Sequence, residues 1–97
     1  MTFQEIINQE KPVLIDFFAT WCGPCKMLAP VLQKVKTSLG DQVSIIKIDV
    51  DKNPKVAATH HVQGVPTLML FKEGKLLWRQ SGVVAPNQLE KVILQHV

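Results

Sequence analysis

The chain has 97 residues, of which 46% are hydrophobic and 20% are charged, as in an ordinary soluble globular protein. Its eleven basic and eight acidic residues give a formal net charge of +3 and are scattered along the sequence. Because they form no basic stripe, the charge pattern disfavours nucleic-acid binding. This length predicts a single domain over residues 1–97.

The sequence contains no segment that predicts export or membrane insertion. Residues Met1–Glu10 are mostly polar and do not form a signal peptide. The apolar stretches are far shorter than the roughly 20 residues that a transmembrane helix needs. We therefore expect a cytoplasmic protein that is not attached to a membrane.

The first half of the chain predicts a helix, a buried strand and a longer helix. Thr2–Asn8 begins with a capping-box pattern. Val13–Ala19 is an apolar run with one carboxylate, which is typical of a strand covered on both faces. Apolar residues at helical spacing then predict a helix from the cysteine motif to Gly40, with a kink at Pro30.

The next part of the chain predicts a strand, a short helix and a hairpin. Val43–Val50 alternates loosely and indicates a second buried strand. Asn53–Thr59 begins with an asparagine at the cap position and a proline in the first turn, so it predicts a helix. Thr67–Phe71 and Leu76–Gln80 flank a tight turn and predict a hairpin.

A last helix begins at Pro86 and carries Leu89, Val92, Ile93 and His96 on one face. Its cap position holds Ala85, whose side chain cannot accept a backbone hydrogen bond. Strands alternating with helices, followed by a hairpin and a helix, predict an α/β sandwich. We expect a central mixed sheet of about four strands flanked by four helices.

Both cysteines of the chain lie within the segment Trp21–Cys25, two residues apart. A disulfide at this spacing closes a very short loop, so it contributes little to stability through chain entropy. Reversible exchange between two thiols and a disulfide, which transfers two electrons, explains the pair better.

The position of the two cysteines relative to the predicted helix suggests different roles for them. Cys22 should lie at the helix start, where free backbone N–H groups and the helix dipole favour a thiolate. Cys25, about one turn further on, should be more buried and keep its proton longer. We therefore predict that Cys22 attacks a substrate disulfide and that Cys25 resolves the mixed disulfide.

Half of a zinc site is the structural alternative for two cysteines at this spacing. A complete site needs four ligands, and only His60, His61 and His96 remain as nitrogen donors. The adjacent pair His60 and His61 lacks the spacing of a zinc-finger pair, so we predict no bound metal.

Several segments together resemble thioredoxin, in the same order and over nearly the whole chain: Asp16–Lys26, Ala29–Pro30, Lys47–Pro54, Gly64–Thr67 and Phe71–Gly74. The resemblance implies a thioredoxin-like three-layer sandwich and a monomeric protein-disulfide reductase without a bound cofactor. Its electrons are expected from a flavin- and NADPH-dependent thioredoxin reductase, and its substrates are expected to be disulfide-containing client proteins.

Asp16 lies in the middle of a predicted buried strand, and burial of a carboxylate raises its pKa. On the sequence alone, a hydrogen-bonded structural aspartate or one at a frayed strand end explains it equally well. The resemblance matches Asp16 to the family's buried acid, which assists proton transfer at the resolving cysteine. It matches Lys47 to the lysine beside that acid, for which a solvated strand-end lysine is the alternative.

The resemblance also implies a shallow apolar surface on which a client peptide docks. It assigns this docking surface to Trp21, Gly23, Pro24, Val65, Pro66, Gly82 and Val83. Pro66 matches the family's cis-proline, and the backbone of Val65 is expected to pair with an extended substrate segment. For Pro66 the alternative is an ordinary proline at a strand start, and for Trp21 it is a half-buried packing residue.

Three features depart from the family pattern. The chain begins close to its first helix, so the usual N-terminal strand is missing or vestigial and an edge of the sheet is expected to be exposed. Phe18 occupies the position of a second tryptophan in many relatives. Trp78 is not a family signature and is interpreted as a packing residue.

Two further functions remain as alternatives. An oxidant or isomerase could share the fold, although Pro24 resembles the reducing members, because isomerases often carry histidine there. A non-enzymatic subunit could instead use the docking surface without turnover.

Overall fold

Four strands form one mixed sheet in the computed structural model, which describes residues 1–97. The strands are β1 Val13–Phe18, β2 Ser44–Asp49, β3 Thr67–Lys72 and β4 Lys75–Ser81. The helices are α1 Phe3–Ile7, α2 Gly23–Leu39, α3 Pro54–Thr59 and α4 Pro86–Leu94, and a 3-10 turn, Gly40–Gln42, follows α2. No helix is both long and apolar enough to cross a membrane.

The strand order in the sheet is β2-β1-β3-β4. Strand β1 runs parallel to β2 and antiparallel to β3, and β3 and β4 form the antiparallel hairpin. This confirms the predicted α/β architecture, with β2 and β4 as the two edge strands. The central strand β1 leads directly into the loop that carries the cysteine motif.

Strand β1 separates two hydrophobic layers, because successive side chains of a strand point to opposite faces. Leu14 packs into the layer that contains α2 and α4. Ile15 and Phe17 pack into the layer that contains α1 and α3. The alternation therefore places Asp16 on the side of the sheet that is covered by α2, the helix that follows the first cysteine.

The helix ends follow the sequence signals in most places. Thr2 Oγ1 accepts a hydrogen bond from the Glu5 backbone N–H at 3.1 Å, and the Thr2 N–H donates to Glu5 Oε1 at 3.0 Å, which completes the predicted capping box. Gly40 ends α2 with a φ of +55°, a left-handed conformation that glycine adopts without a Cβ clash. Helix α2 continues through Pro30, and no side chain caps α4 at Ala85.

Of two local predictions, one was confirmed in position only and the other was wrong. Asn53 is the N-cap residue of α3 and Pro54 lies in the first turn, as predicted, but the Asn53 side chain does not cap the helix; its Nδ2 donates instead to the Asp49 carbonyl at 3.0 Å. The Asp49 Oδ1 stabilises the turn before α3 by accepting hydrogen bonds from the backbone N–H groups of Asp51 and Lys52. His96 lies beyond the end of α4 at Leu94, so it does not share the helical face.

Candidate active site

Helix α2 begins at the cysteine motif because its first residues suit a helix start. Cys22 is the N-cap residue with an extended backbone, and its Sγ accepts the Cys25 backbone N–H at 3.1 Å. Pro24 lies in the first turn, where its missing N–H leaves no partner unsatisfied. Cys22 and Cys25 form a disulfide, with 5.3 Å between their Cα atoms. The sulfur of Cys22 therefore lies at the positive end of the helix dipole.

The two cysteines do not differ in burial as the sequence predicted. Cys22 is 4% exposed and Cys25 is 7% exposed, so the expectation that Cys25 is the more buried one is wrong. The loop before β3 covers Cys22, because the Val65 carbonyl oxygen lies 3.6 Å from its Sγ. Both sulfurs also pack against Ala19 in one small apolar cluster. In this disulfide form, position at the helix start distinguishes the two residues and burial does not.

Asp16 is 1% exposed, and its Oδ1 has no hydrogen-bond partner. Burial raises the pKa of its carboxyl from 3.8 to about 6, and the positive charge of Lys47 lowers that pKa in part. Lys47 is the register partner of Asp16 on β2 and keeps its own side chain exposed. Its Nζ lies 4.7 Å from the centre of the Phe18 ring.

An open pocket of about 300 Å³ connects the surface to Cys25. It is lined by Phe18, Ala19, Thr20, Cys25, Lys26, Ala29 and Lys47. The pocket thus brings Cys25 and Lys47 to one space, on the side of the sheet toward which Asp16 points. Asp16 itself does not line the pocket, so its carboxyl lies beneath the space that Cys25 and Lys47 border.

Part of the predicted docking surface lies beside the disulfide, because Val65 packs against the cluster that contains both cysteines. The Val65–Pro66 peptide bond is cis, and the Gly82 N–H donates to the Pro66 carbonyl at 2.9 Å, which joins two of the predicted segments. Val83 and Trp21 are 43% and 70% exposed, so both present apolar surface to solvent. Gly23 and Pro24 are exposed at the start of α2. The structure therefore joins Gly82 to Pro66 and places the Val65 carbonyl at Cys22, while Trp21 and Val83 remain exposed.

Trp21 has a partner that the sequence did not reveal. Its Nε1 donates to Asp51 Oδ2 at 2.8 Å, across 30 positions of sequence. Water can satisfy the N–H of an exposed indole, so neither exposure nor the local pattern predicts a protein acceptor for Trp21. The Asp49 carboxylate holds the turn that carries Asp51. Asp51 therefore belongs to the site as the residue that orients Trp21.

The histidines lie away from the cysteines. His60 packs in an aromatic cluster, with its ring centre 4.8 Å from that of Phe3 and 5.9 Å from that of Phe71. No three side chains among His, Cys, Asp and Glu are grouped as metal ligands.

Comparisons with known proteins agree with this geometry. The thioredoxin family model matches residues 1–95. A thioredoxin-like protein of Synechocystis is 51% identical over 88 residues, which cover 90% of this chain and 84% of that protein. The chloroplastic thioredoxin Y2 of Arabidopsis thaliana is 44% identical over 89 residues, which cover 91% of this chain and 53% of that protein.

A solved structure shows the same fold. The oxidised mitochondrial thioredoxin 3 of Saccharomyces cerevisiae superposes with a TM-score of 0.86 and 41% sequence identity, covering 96% of this chain and 86% of the yeast chain. The family match, the shared fold and the disulfide at the start of α2 lead to one conclusion. The chain belongs to the thioredoxin family and is a thiol–disulfide oxidoreductase whose redox-active pair is Cys22 and Cys25.

Proposed function

We propose that the chain reduces client-protein disulfides, with Cys22 as the nucleophile and Cys25 as the resolving thiol. The observation that carries this assignment is the N-cap position of Cys22, whose Sγ accepts the Cys25 N–H. A hydrogen-bond donor and the helix dipole both stabilise negative charge on that sulfur once the disulfide is reduced. Cys25 lies inside the first turn and has no such role as a cap.

The reaction transfers two electrons from the dithiol to the client. The Cys22 thiolate attacks one client sulfur, the client S–S bond breaks, and the departing client thiolate takes up a proton. Cys25 then loses its proton and attacks the Sγ of Cys22. The mixed disulfide breaks, the second client thiol leaves, and the disulfide between Cys22 and Cys25 forms. The client is reduced and the cysteine pair is oxidised.

Asp16 is the proposed base for Cys25. A general base works best when its pKa lies near the working pH, and burial raises that of Asp16 to about 6. Its Oδ1 has no partner within the protein, so it is free to accept a proton through a water molecule. Lys47, across the strand pair, is the proposed tuning residue, because its charge limits how far the pKa rises.

The docking surface is proposed to hold an extended client segment beside Cys22. The Val65 carbonyl already lies at the sulfur, so strand-like pairing with this backbone would align a client disulfide with the nucleophile. Trp21 and Val83 offer exposed apolar contacts on either side. Gly23 and Gly82 lack a side chain, so a client chain can approach their backbone closely, while the buried Pro66 supports the Val65 backbone from below.

The proposed electron donor is a flavin- and NADPH-dependent thioredoxin reductase, and the proposed setting is a monomer in the cytoplasm. The thioredoxin family generally works with disulfide-containing targets and a thioredoxin reductase, which supports this proposal. NADPH consumption in the presence of the reductase, this chain and insulin tests the donor. No consumption above that of the reductase with insulin alone would contradict it.

Single-cysteine variants test the two roles. Cys22→Ser is expected to abolish reduction of insulin by dithiothreitol, because it removes the nucleophile. Cys25→Ser is expected to accumulate a mixed disulfide with insulin, because the resolving thiol is missing. Full activity of Cys22→Ser would contradict the assignment. A midpoint potential above that of the glutathione pool would instead support an oxidant.

A further inference from the structure

Arg79 on β4 joins the far edge of the sheet to the end of α3. Its Nη1 donates to the His60 carbonyl at 2.5 Å, and its Nη2 donates to the His61 carbonyl at 2.8 Å. Arg79 is the register partner of Met69, which packs in the layer that contains α1 and α3. The guanidinium is therefore on the correct face to reach two successive carbonyls with its two parallel N–H groups.

The carbonyls that Arg79 binds belong to the two residues that follow α3. Backbone N–H groups of His60, Val62 and His61 already serve the last carbonyls of the helix itself, so Arg79 supplies donors to the next two carbonyls along the chain. His61 also has a φ of +54°, a left-handed conformation that is unfavourable for a residue with a Cβ. The bond from Arg79 to its carbonyl helps to hold this conformation, which directs the chain away from α3.

The segment that Arg79 fixes leads to the active site. Residues 60–66 form no helix or strand, and they end at the cis peptide bond beside the disulfide. Besides Arg79, the segment is held by the Val62 N–H, which donates to Ala57, and by the Gly64 carbonyl, which accepts from Thr67 Oγ1 at 2.7 Å. Val65 follows, with its carbonyl 3.6 Å from the Cys22 Sγ.

We propose that Arg79 is a positioning residue for protein substrates. By clamping the start of residues 60–66, it sets the place of the Val65 backbone against which an extended client segment pairs. Arg79 does not touch the sulfurs or the client. This inference rests on the proposed function, in which that backbone docks the client. It predicts an effect on client binding and none on the thiol chemistry.

Two substitutions separate the paired hydrogen bonds of the Arg79 guanidinium from its positive charge. Arg79→Lys keeps the positive charge but cannot span two carbonyls, and Arg79→Gln loses the charge while keeping one amide donor group. Lys75→Gln is the matched control, because Lys75 is an exposed cation on the same strand. Each variant is assayed with insulin and with the small aromatic disulfide dithiobis-nitrobenzoate, which has no peptide backbone to dock.

Loss of one or two hydrogen bonds at the clamp is expected to raise the KM for insulin about three- to tenfold in both Arg79 variants, with kcat within about twofold. The rate with the small disulfide and all values for Lys75→Gln should match the wild type. Amide hydrogen exchange at Val62 and Val65 should become faster in the Arg79 variants. A role limited to global stability would shift the unfolding transition without this split between substrates.

Three results would overturn the positioning role. They are an unchanged KM for insulin in both Arg79 variants, an unchanged exchange rate at Val62 and Val65, and an equal loss of activity on insulin and the small disulfide in Arg79→Lys. Cys22→Ser tests the proposed function separately. If Cys22→Ser still reduces insulin, the proposed function fails. If Cys22→Ser is inactive but both Arg79 variants behave like the wild type, only the positioning role of Arg79 is refuted.

Discussion

Asp16 and Lys47 are register partners on the adjacent parallel strands β1 and β2, so the one ionisable group inside the sheet faces a cation across the strand pair. The two side chains differ in exposure, because Asp16 is buried and Lys47 reaches solvent. Burial raises the pKa of Asp16, and Lys47 opposes that rise. The sheet therefore contains a buried carboxyl whose charge changes near pH 6, so the stability of the fold depends on pH in that range.

Stability should fall as the pH rises through the titration of Asp16. Between the unfolded pKa of 3.8 and the folded value of about 6, the folded state binds more protons than the unfolded state, so ionisation favours unfolding. Above this window the buried charge costs about 3 kcal/mol. Asp16→Asn removes it and should raise the free energy of unfolding by about 1–3 kcal/mol at pH 8, less the cost of a buried amide.

Urea unfolding of wild type and Asp16→Asn across pH 4 to 8 measures this effect. The stability of Asp16→Asn relative to the wild type should be lowest at pH 4, where Asp16 is largely protonated in the folded state, and should increase as the pH rises. Asp41→Asn, which removes an exposed carboxylate, is the control and should show no such increase. A difference between wild type and Asp16→Asn that stays constant over this range would contradict a buried carboxyl with a raised pKa.

The same substitution should slow the second step of catalysis. Without a base, attack of Cys25 on the mixed disulfide should be about 10- to 100-fold slower, while attack by Cys22 changes little. Stopped-flow release of the second client thiol measures this step. In the wild type, its rate should fall as the pH drops below about 6, where Asp16 becomes protonated. Equal resolution rates in the two proteins would remove Asp16 from the mechanism.

Removal of the neighbouring cation should shift the titration of Asp16 upward. In Lys47→Met the carboxyl keeps its burial but loses the charge that lowers its pKa, so the pKa should rise further above 6. A carbon-13 NMR titration of the Asp16 carboxyl reports this directly. Lys34→Met, an exposed lysine of α2, is the matched control. An unchanged titration in Lys47→Met would show that solvent screens the charge completely.

The elements that local patterns describe could be predicted from the sequence. The apolar run of β1 indicated burial on both faces, and the capping signals placed the start of α1 and the end of α2 at Gly40. The Cys22 N-cap followed from the spacing of the motif and Pro24. These features depend on side-chain periodicity and on hydrogen bonds between residues a few positions apart. Both can be read directly from the sequence.

Contacts between distant side chains could not be predicted in this way. The hydrogen bond from Trp21 to Asp51 and the clamp of Arg79 on His60 connect residues 30 and 19 positions apart. Their partners are set by how the strands and helices pack, and no local period encodes that. The burial of Cys22 was missed for the same reason, because the covering loop comes from a distant part of the chain.

The bond between Trp21 and Asp51 should restrict the exposed indole without stabilising the fold. Asp51→Ala is expected to leave the free energy of unfolding within about 0.5 kcal/mol of the wild type, because the contact is exposed. It should increase the local motion of Trp21, measured by time-resolved fluorescence anisotropy with Trp78 replaced by Phe in every protein. Asp51→Asn keeps an acceptor oxygen and should resemble the wild type. Equal anisotropy decays in all three would contradict an orienting role.

The hairpin turn between β3 and β4 should be open to stabilisation. Glu73 and Gly74 have φ values of +52° and +81°, so two successive residues are left-handed, as in the turns that favour Asn-Gly. Glu73→Asn should raise the free energy of unfolding by about 0.5–1 kcal/mol, because asparagine tolerates this conformation better than glutamate. The backbone bond from the Glu73 N–H to the Gln9 carbonyl at 2.8 Å is retained.

Gly74→Ala provides the opposite test at the next position. A Cβ there would lie 3.6 Å from Asn8 Oδ1, which is ordinary contact, so the space is sufficient and only the backbone conformation is unfavourable. The substitution should lower the free energy of unfolding by about 1 kcal/mol. Urea denaturation of both variants measures the two effects. A loss of stability in Glu73→Asn would show that the glutamate side chain contributes more than the backbone conformation costs.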